Sequence, residues 1–266
     1  MRNFTKLGGR PEFEAERIDW LFAHFGWLLA NFGGYKSFLR SYHLVMTTPN
    51  DFPSVSLTSP ENVERIFRAV MGHMGMGDWA VDLRQMNDED VPSDFASDTS
   101  GMSMGYSADG LAGFFDHDSF GRVTIGYNPH LVSDFPGLIS VFSHEAAHYL
   151  LTKSITVMPG GWADLEPVTD LTAIFTGFGI FQANTASVIE RNSEGHRSSL
   201  SGYLPESGRA YALAVFSELS LLDPKFVAKH LRANPRASYR AAIDDIRKSR
   251  WKEMAELQTL TPLRDW

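Results

Sequence analysis

Apolar positions in the first part of the chain recur at the spacing of a helix. The pattern runs from residue 12 to about residue 31 and stops at Gly33-Gly34. The predicted helix carries many aromatic side chains, among them Trp20, Phe22, Phe25, Trp27 and Phe32. Such a surface is not left in water, so we expect it to pack on the rest of the chain or on a second copy. We interpret residues 1–55 as an N-terminal helical appendage that ends in a linker at 47–53.

Residues 56–135 mix one helical pattern with short alternating segments. Ser59 and Pro60 suit an N-cap and a first helical position, and an apolar stripe follows them. Three segments are predicted strands: residues 79–83, 111–115 and 122–127. The last two are expected to pair around a turn at 116–121. Residues 86–107 are rich in Asp, Ser, Gly and Met, show no period, and are predicted to form a long loop and candidate lid.

Helical patterns dominate residues 136–266. The predicted helices cover residues 138–151, a segment from about 164, residues 205–222, and one or two segments beyond 224. Two glycines within the aromatic segment 175–181 indicate a close crossing of helices. Strands followed by helices indicate an α+β fold. We expect one domain over residues 56–266, with the sheet in its first part, to about residue 135, and helices in its second.

Composition limits the function classes. The 266 residues can bury a substantial core, and a formal net charge of -8 argues against a general nucleic-acid-binding protein. The absence of cysteine excludes disulfides, thiolate zinc ligands and a catalytic thiol. Residues 1–10 lack the apolar core of a signal peptide, and residues 20–32 are too short and too polar-flanked to span a bilayer. We expect a soluble, cytoplasmic protein without a membrane span.

The clearest chemical signal is the stretch His144-Glu145-Ala146-Ala147-His148. Side chains at positions i and i+4 of a helix lie on one face, so both imidazoles can reach the same metal ion. Glu145 stands beside them, and a purely structural zinc site has no need of such a base. The spacing therefore predicts a zinc-binding helix with Glu145 as the residue that transfers protons.

Catalytic zinc takes three protein ligands and keeps one position open, so a third ligand must come from elsewhere. Glu166 lies on the next predicted helix, and Asp170 follows one turn later on the same face. We predict Glu166 as the third ligand and Asp170 as the acceptor for the other ring N–H of a ligand histidine. Asp164 is an alternative third ligand, although N-capping of this helix explains it as well.

The pattern His144-Glu145-x-x-His148 followed by Glu166-x-x-x-Asp170 resembles the gluzincin class of zinc metallopeptidases, the thermolysin-like clan in its broad sense. The chain is also similar to small bacterial proteins that have a minimal gluzincin core. This resemblance implies a zincin-like fold and one Zn²⁺ bound by the two histidines and Glu166. It also implies that Glu145 is the general base and that Asp170 is hydrogen-bonded to a ligand histidine.

On the substrate side, residues 122–127 resemble the cleft strand of such enzymes, which implies that they align an extended peptide by strand addition. The resemblance covers about residues 120–182, and no peptidase subfamily matches outside it. Candidates for the donor that stabilises the oxyanion are Tyr203, Tyr211, His196 and Arg209, with the two tyrosines first. A place in the core explains Tyr211 about as well.

The remaining histidines have no partner at metal-ligand spacing: His24, His43, His73, His117, His130 and His230. We interpret each as an ordinary surface or core residue. The sequence predicts a zinc metallopeptidase that acts on a peptide or protein substrate, and it leaves the oligomeric state open. Two alternatives stay open, a catalytically silent zinc protein and a regulator that cleaves a single cellular protein.

Overall fold

The computed structural model describes residues 14–55, 59–87, 101–107, 110–193 and 204–264, with the backbone alone along 101–107, 110–111 and 187–193. The helices are α1 (Ala15–Asn31), α2 (Gly34–Ser41), α3 (Pro60–His73), α4 (Phe135–Leu151), α5 (Leu165–Ala173), α6 (Gly179–Ser193), α7 (Glu206–Leu219), α8 (Pro224–Lys229), α9 (Ala233–Ser249) and α10 (Trp251–Leu257). The strands are β1 (Asp82–Gln85), β2 (Gly101–Ser107), β3 (Gly110–His117) and β4 (Val123–Tyr127). A π-helical turn, Ile174–Phe178, joins α5 to α6, and 3₁₀ turns at Pro129–Ser133 and Gly161–Asp164 precede α4 and α5.

The four strands form one mixed sheet in the order β1-β4-β3-β2. β1 pairs with β4 in parallel, and β3 pairs antiparallel with both β4 and β2. The register places Phe115 opposite Ile125, and both side chains are buried in one core with residues of α3 and α4. The α+β class and the predicted pairing of β3 with β4 are therefore confirmed.

Two predictions about the sheet are wrong in position. The predicted loop at 86–107 ends in β2, because its last seven residues pair with β3. Met102, Met104 and Tyr106 alternate there with Gly and Ser, a strand pattern that the loop prediction missed. The candidate lid otherwise falls on 88–100, which lie outside the described residues. β1 begins at Asp82 and not at Trp79, since the Trp79 amide donates to Met76 O (3.0 Å) in a turn.

β4 has no unpaired edge. Thr124 lies opposite Asp82 of β1 on one side and opposite Asp116 of β3 on the other. An extended peptide can add to a strand only where the N–H and C=O groups of an edge are available. The role expected for residues 122–127 in aligning substrate is therefore wrong.

Local capping explains where two of the predicted helices begin. At α3, Ser59 Oγ accepts a hydrogen bond from Asn62 N (3.4 Å), and at α4 Asp134 Oδ1 accepts one from Gly137 N (3.3 Å). Both helices are confirmed. Along α4 almost every side chain is buried, including the polar ones, so this helix runs through the interior and not along the surface.

The buried apolar residues form two cores. One core contains α3, the sheet and most of α4, and the other contains α1, α5, α7, α9 and α10. α5 and the π-helical turn contribute side chains to both cores. The polar face that α4 turns toward α5 therefore lies where the two cores meet.

The aromatic helix α1 packs on the rest of the same chain. Leu21, Phe25, Leu28 and Leu29 are buried in the core that also holds α7 and α9. The division of the chain at residue 55 stays a prediction, and in the folded chain the first part shares its core with the second.

Beyond α7 the described residues form three helices, one more than the largest number expected. The additional break falls at Arg250, where φ is -120°. Its guanidinium donates to Asp19 of α1 (2.7 Å) and to Glu253 of α10 (2.9 Å), which ties the break to both of these helices. Among the described residues, no helix combines the length and the apolar character that crossing a membrane requires.

Two glycines near the end of α5 permit close approaches of different kinds. Gly177 has a φ of 106°, and a Cβ built there would lie 2.0 Å from His43 O. Its carbonyl accepts a hydrogen bond from Val45 N (3.0 Å). A Cβ at Gly179 would lie 2.6 Å from Leu213 Cδ1 of α7. The expected helix crossing is confirmed at Gly179, whereas Gly177 lets the segment after α2 pass the π-helical turn.

Candidate metal centre

His144 and His148 lie one turn apart on α4 and face α5. Their ring centroids are 4.9 Å apart, and both side chains are buried. Glu166 and Asp170 lie one turn apart on α5 and face the two rings. Gly160, with a φ of 76°, begins the 3₁₀ turn that brings α5 alongside α4.

Glu166 lies against the Nε2 atoms of both histidines. Its Oε2 is 3.2 Å from His144 Nε2, and its Oε1 is 3.7 Å from His148 Nε2. One donor atom of each residue lies within 4.8 Å of the other two. Donors around a tetrahedral zinc ion are about 3.3 Å apart when the bonds are ~2.0–2.1 Å long. Small side-chain movements therefore suffice for the three residues to share one ion.

Hydrogen bonds to the Nδ1 atoms set the tautomers of both rings. His144 Nδ1 lies 3.0 Å from Asp170 Oδ1, and a carboxylate can only accept, so this nitrogen carries the proton. His148 Nδ1 lies 3.2 Å from Thr169 Oγ1, whose hydroxyl donates to Leu165 O (2.8 Å) and so accepts from the ring. In the neutral rings, which are the form that binds a metal, both Nε2 atoms consequently turn a lone pair toward the α5 carboxylate, as metal-ligating histidines do. Without a metal ion, His144 Nε2 can instead carry a proton and donate a hydrogen bond to Glu166 Oε2 (3.2 Å).

The surroundings of His148 Nε2 provide a test of whether a cation fits. Within the described residues this atom is buried and has no hydrogen-bond partner. A buried nitrogen lone pair beside a carboxylate is costly unless a positive charge lies between them. The donor set of two imidazoles and one carboxylate suits zinc, so the residues present fit the predicted metal.

Without a metal ion the two histidines differ in proton affinity. Burial lowers the pKa of His144, but its contacts with Asp170 and Glu166 and the charge of Glu145 outweigh burial and raise the pKa from 6.5 to about 10. Burial, and then the charge of His144, lowers the pKa of His148 well below 6.5. The cluster therefore attracts one positive charge, which a proton on His144 or a metal ion can supply.

Asp170 is held from behind by buried groups of α7 and the segment before it. Its Oδ2 accepts hydrogen bonds from Arg209 Nη2 (2.8 Å) and Leu204 N (2.9 Å). Burial raises the pKa of Asp170, but the charge of Arg209 and the hydrogen bond from His144 together hold it below its usual value. Arg209 also donates to Gln182 Oε1 (3.0 Å). The interpretation of Arg209 as an oxyanion donor is therefore wrong, because this buried guanidinium positions Asp170.

Glu145 is fully buried at the contact between α4 and β3. A Cβ built at Gly113 of β3 would lie 3.2 Å from Glu145 Oε1 and 2.5 Å from Val141 Cγ1. Only a glycine lets the strand lie this close to the helix. Glu145 thus lies between His144, whose pKa its charge raises, and the backbone of β3.

A pocket of about 330 Å³ opens beside His148. Its wall is mainly apolar and includes Phe115, which stacks on the His148 ring with centroids 5.9 Å apart. The rim is formed by Val157 and Trp162, whose side chains are exposed. Trp27 of α1 also lines the pocket, so the N-terminal helix contributes to the surroundings of the candidate site.

Tyr211, a predicted oxyanion donor among the described residues, is not brought to the histidines. Tyr211 is buried in the core with α1, where its hydroxyl donates to Asp245 Oδ2 (2.8 Å) and its ring meets Phe22 edge-on. Burial and then Asp245 raise its pKa. The structure therefore supports the core interpretation of Tyr211. Tyr203 and His196 lie outside the described residues.

Asp164 is neither the third ligand nor the N-cap of α5, the two roles that were expected for it. Within the described residues its carboxylate does not cap α5. Its Oδ2 accepts a hydrogen bond from Trp20 Nε1 (2.9 Å) and lies 3.7 Å from His24 Nε2. This aspartate links α1 to the start of α5, and Glu166 is the α5 carboxylate that faces both motif histidines.

Two residues that position the site were not identified from the sequence in that role. Thr169 fixes His148, and its only sequence signal is a position three residues after Glu166 on the same helix. Arg209 reaches Asp170 from α7, and no spacing rule connects them. His43 and His73, which the sequence analysis treated as ordinary histidines, lie close together with Asp51.

The chain matches no protein-family model, and no curated protein or solved structure shows significant similarity to it.

Proposed function

We propose that this chain is a zinc-dependent hydrolase that cleaves peptide bonds. The observation that carries the proposal is the convergence of His144, His148 and Glu166 within 4.8 Å, with both rings set to offer Nε2. Two neutral imidazoles and one carboxylate are a ligand set of catalytic zinc, in which a fourth position serves water or substrate.

The mechanism assigns a task to each polar residue of the site. A zinc ion held by the three ligands would polarise the scissile carbonyl and lower the pKa of a water molecule. Glu145 would take the proton of the attacking water and pass it to the leaving amine. Asp170 and Thr169 keep the ligand rings oriented, and Arg209 keeps Asp170 ionised.

The peptidase class and a zincin-like arrangement are further parts of this proposal. The pattern from His144 to Asp170 resembles the gluzincins, and two features of the structure support the likeness. The motif helix α4 packs against a small mixed sheet, and the helix with the third carboxylate directly follows it. The apolar pocket beside His148 gives a peptide or protein substrate a route to the site.

A second candidate function is a zinc-binding protein without hydrolytic activity. The observation that favours it is the complete burial of Glu145 and His144, which leaves the pocket beside His148 as the approach to the site within the described residues. Such a protein, or a regulator that accepts a single cellular protein, would keep the ligands and show no general peptidase activity.

The proposal is tested by measuring the rate at which the zinc-loaded chain hydrolyses an unfolded protein substrate and a mixture of peptides. We expect Glu145→Gln to retain zinc and to lose at least about a hundredfold in rate, the usual contribution of a positioned general base. Glu256→Gln, an exposed substitution of the same kind on α10, is the matched control and should leave the rate unchanged. Equal rates in wild type and Glu145→Gln would remove Glu145 from the mechanism, and a zinc-loaded but inactive wild type would favour the second candidate.

A further inference from the structure

His43, Asp51 and His73 form a second cluster of metal-binding side chains, away from α4 and α5. His43 follows α2, Asp51 lies in a turn of the segment that leads to α3, and His73 is the last residue of α3. One ligand atom of each lies within 4.8 Å of the other two. From this convergence we propose a second site, which binds a divalent transition metal independently of the motif on α4.

The carboxylate of Asp51 is built into its turn. The side chain is 4% exposed, Oδ2 accepts a hydrogen bond from Thr48 Oγ1, and Oδ1 contacts His43 Nε2. Burial raises the pKa of Asp51, but Thr48 and His43, together with the charge of His73, lower it overall. A buried anion beside two imidazoles is a position where a cation can offset the cost of burying the charge.

The two rings are held in a fixed relation to this anion. His43 and His73 stack with centroids 5.2 Å apart and planes inclined by 18°. His73 Nε2 donates to Asp51 O (2.7 Å), which leaves Nδ1 as the ring nitrogen with its lone pair. Phe52 meets the His73 ring edge-on at 5.7 Å and restricts its rotation. Both rings are therefore held in place beside the carboxylate before any ion binds.

Solvent reaches the cluster from one side. The His43 side chain is 52% exposed, and both histidines line an open pocket of about 380 Å³. Further coordination positions of a bound ion would face this pocket and take water. Imidazole and carboxylate donors suit Zn²⁺, Ni²⁺ or Cu²⁺, and the open side makes the ion exchangeable.

An ion bound at this cluster would connect α3 to the segment that follows α2. The segment that carries His43 continues to Val45, whose amide donates to Gly177 O in the π-helical turn after α5. An ion that ties His43 and Asp51 to α3 would stabilise this segment against the turn. Metal binding here should therefore raise the unfolding temperature of the chain.

The test compares zinc uptake by the metal-stripped full-length chain and its variants in equilibrium dialysis. We expect His43→Ala to bind one zinc equivalent fewer than wild type, whatever the occupancy of the site on α4. His73→Gln should weaken the same equivalent at least about tenfold, since even the loss of a group that only orients a ligand costs about 10- to 100-fold. His230→Ala removes an exposed histidine from the end of α8 and serves as the control for adventitious binding.

The outcomes separate this proposal from the proposed hydrolase. If His148→Ala retains one equivalent of zinc, and adding His43→Ala to that variant removes it, the second site is present. If His43→Ala and His230→Ala both bind as much zinc as wild type, the cluster is only a hydrogen-bonded clamp and the proposal is overturned. The thermal unfolding of each variant without metal verifies that it is folded, and His43, being half exposed, is the substitution least disruptive to folding.

Discussion

His144 and His148 look equivalent in the sequence, but acceptors of different kinds hold them. A charged carboxylate fixes His144, and a neutral hydroxyl fixes His148. Charge-assisted hydrogen bonds are roughly twice as strong as neutral ones, so the orientation of His148 is the weaker of the two. A stacked aromatic ring, Phe115, compensates in part by restricting the His148 ring.

Two threonines on α5 allow the contribution of this hydroxyl to be measured. Thr169→Val removes the acceptor of His148 Nδ1 and should weaken zinc binding about tenfold, the lower end of the range for groups that orient metal ligands. Thr172 is buried on the same helix, and its hydroxyl donates to Val168 O (2.7 Å), so Thr172→Val should change zinc affinity less than about twofold. Competition with a chromophoric chelator measures both constants, and equal affinities would show that Thr169 does not position the ring.

The stability of the metal-free protein should depend on pH through His144. Its folded pKa of about 10 lies above its unfolded value of 6.5, so its stabilising contribution is complete below pH 6.5 and disappears as the pH rises to about 10. Urea unfolding in the presence of a chelator should show that the free energy of unfolding falls as the pH rises over this range, and the fall should be smaller for His144→Gln. A zinc-loaded sample should lack it, since the metal-bound ring carries no proton on Nε2. Identical curves for wild type and His144→Gln would contradict the assignment.

At the scale of helices and strands, local patterns predicted α3 and α4, because the periodicity of both helices and the N-cap and first-turn proline of α3 act within a few residues. The Asp134 cap, which starts α4 three residues before the predicted 138, was not identified from the sequence. β2 was not predicted although Met and Tyr alternate with Gly and Ser along it, because glycine is depleted in strands and the small residues made the segment resemble a loop. The role assigned to β4 failed for a different reason, because whether a strand has an open edge depends on its neighbours. Thr169, the partner of His148, and Arg209, the partner of Asp170, were missed for the same reason, because these contacts depend on how α5 packs against α4 and α7.

The contact between β3 and α4 predicts that Gly113 is intolerant of substitution. A Cβ there would lie 2.5 Å from Val141 Cγ1 and 2.9 Å from Gly126 O, so Gly113→Ala should destabilise the fold by about 1–3 kcal/mol. Gly72 in α3 has open space around its Cβ position, and Gly72→Ala should be neutral or stabilising by up to about 1 kcal/mol. Denaturant unfolding compares the two variants, and a tolerated Gly113→Ala would mean that β3 does not lie this close to Glu145.

Across the whole molecule, the candidate metal centre lies at the meeting of two cores, and α1 is part of its surroundings. Trp20 binds Asp164 at the start of α5, and Trp27 lines the pocket beside His148. The sequence predicted that this aromatic helix packs on something but could not identify the surface. His43 and His73 lie 30 positions apart in the sequence (73 − 43), one before α3 and the other at its last residue, so only the fold reveals that they meet near Asp51.

Zinc retained after gel filtration tests the central claim most directly. Measured in a His43→Ala background, so that the second cluster does not contribute, the chain should keep one zinc ion. His148→Ala and Glu166→Ala should each lose it. Asp164→Asn, which keeps an oxygen for Trp20, should retain it. Full zinc retention in His148→Ala and Glu166→Ala, or no zinc in the parent chain even after zinc is added, would contradict the account.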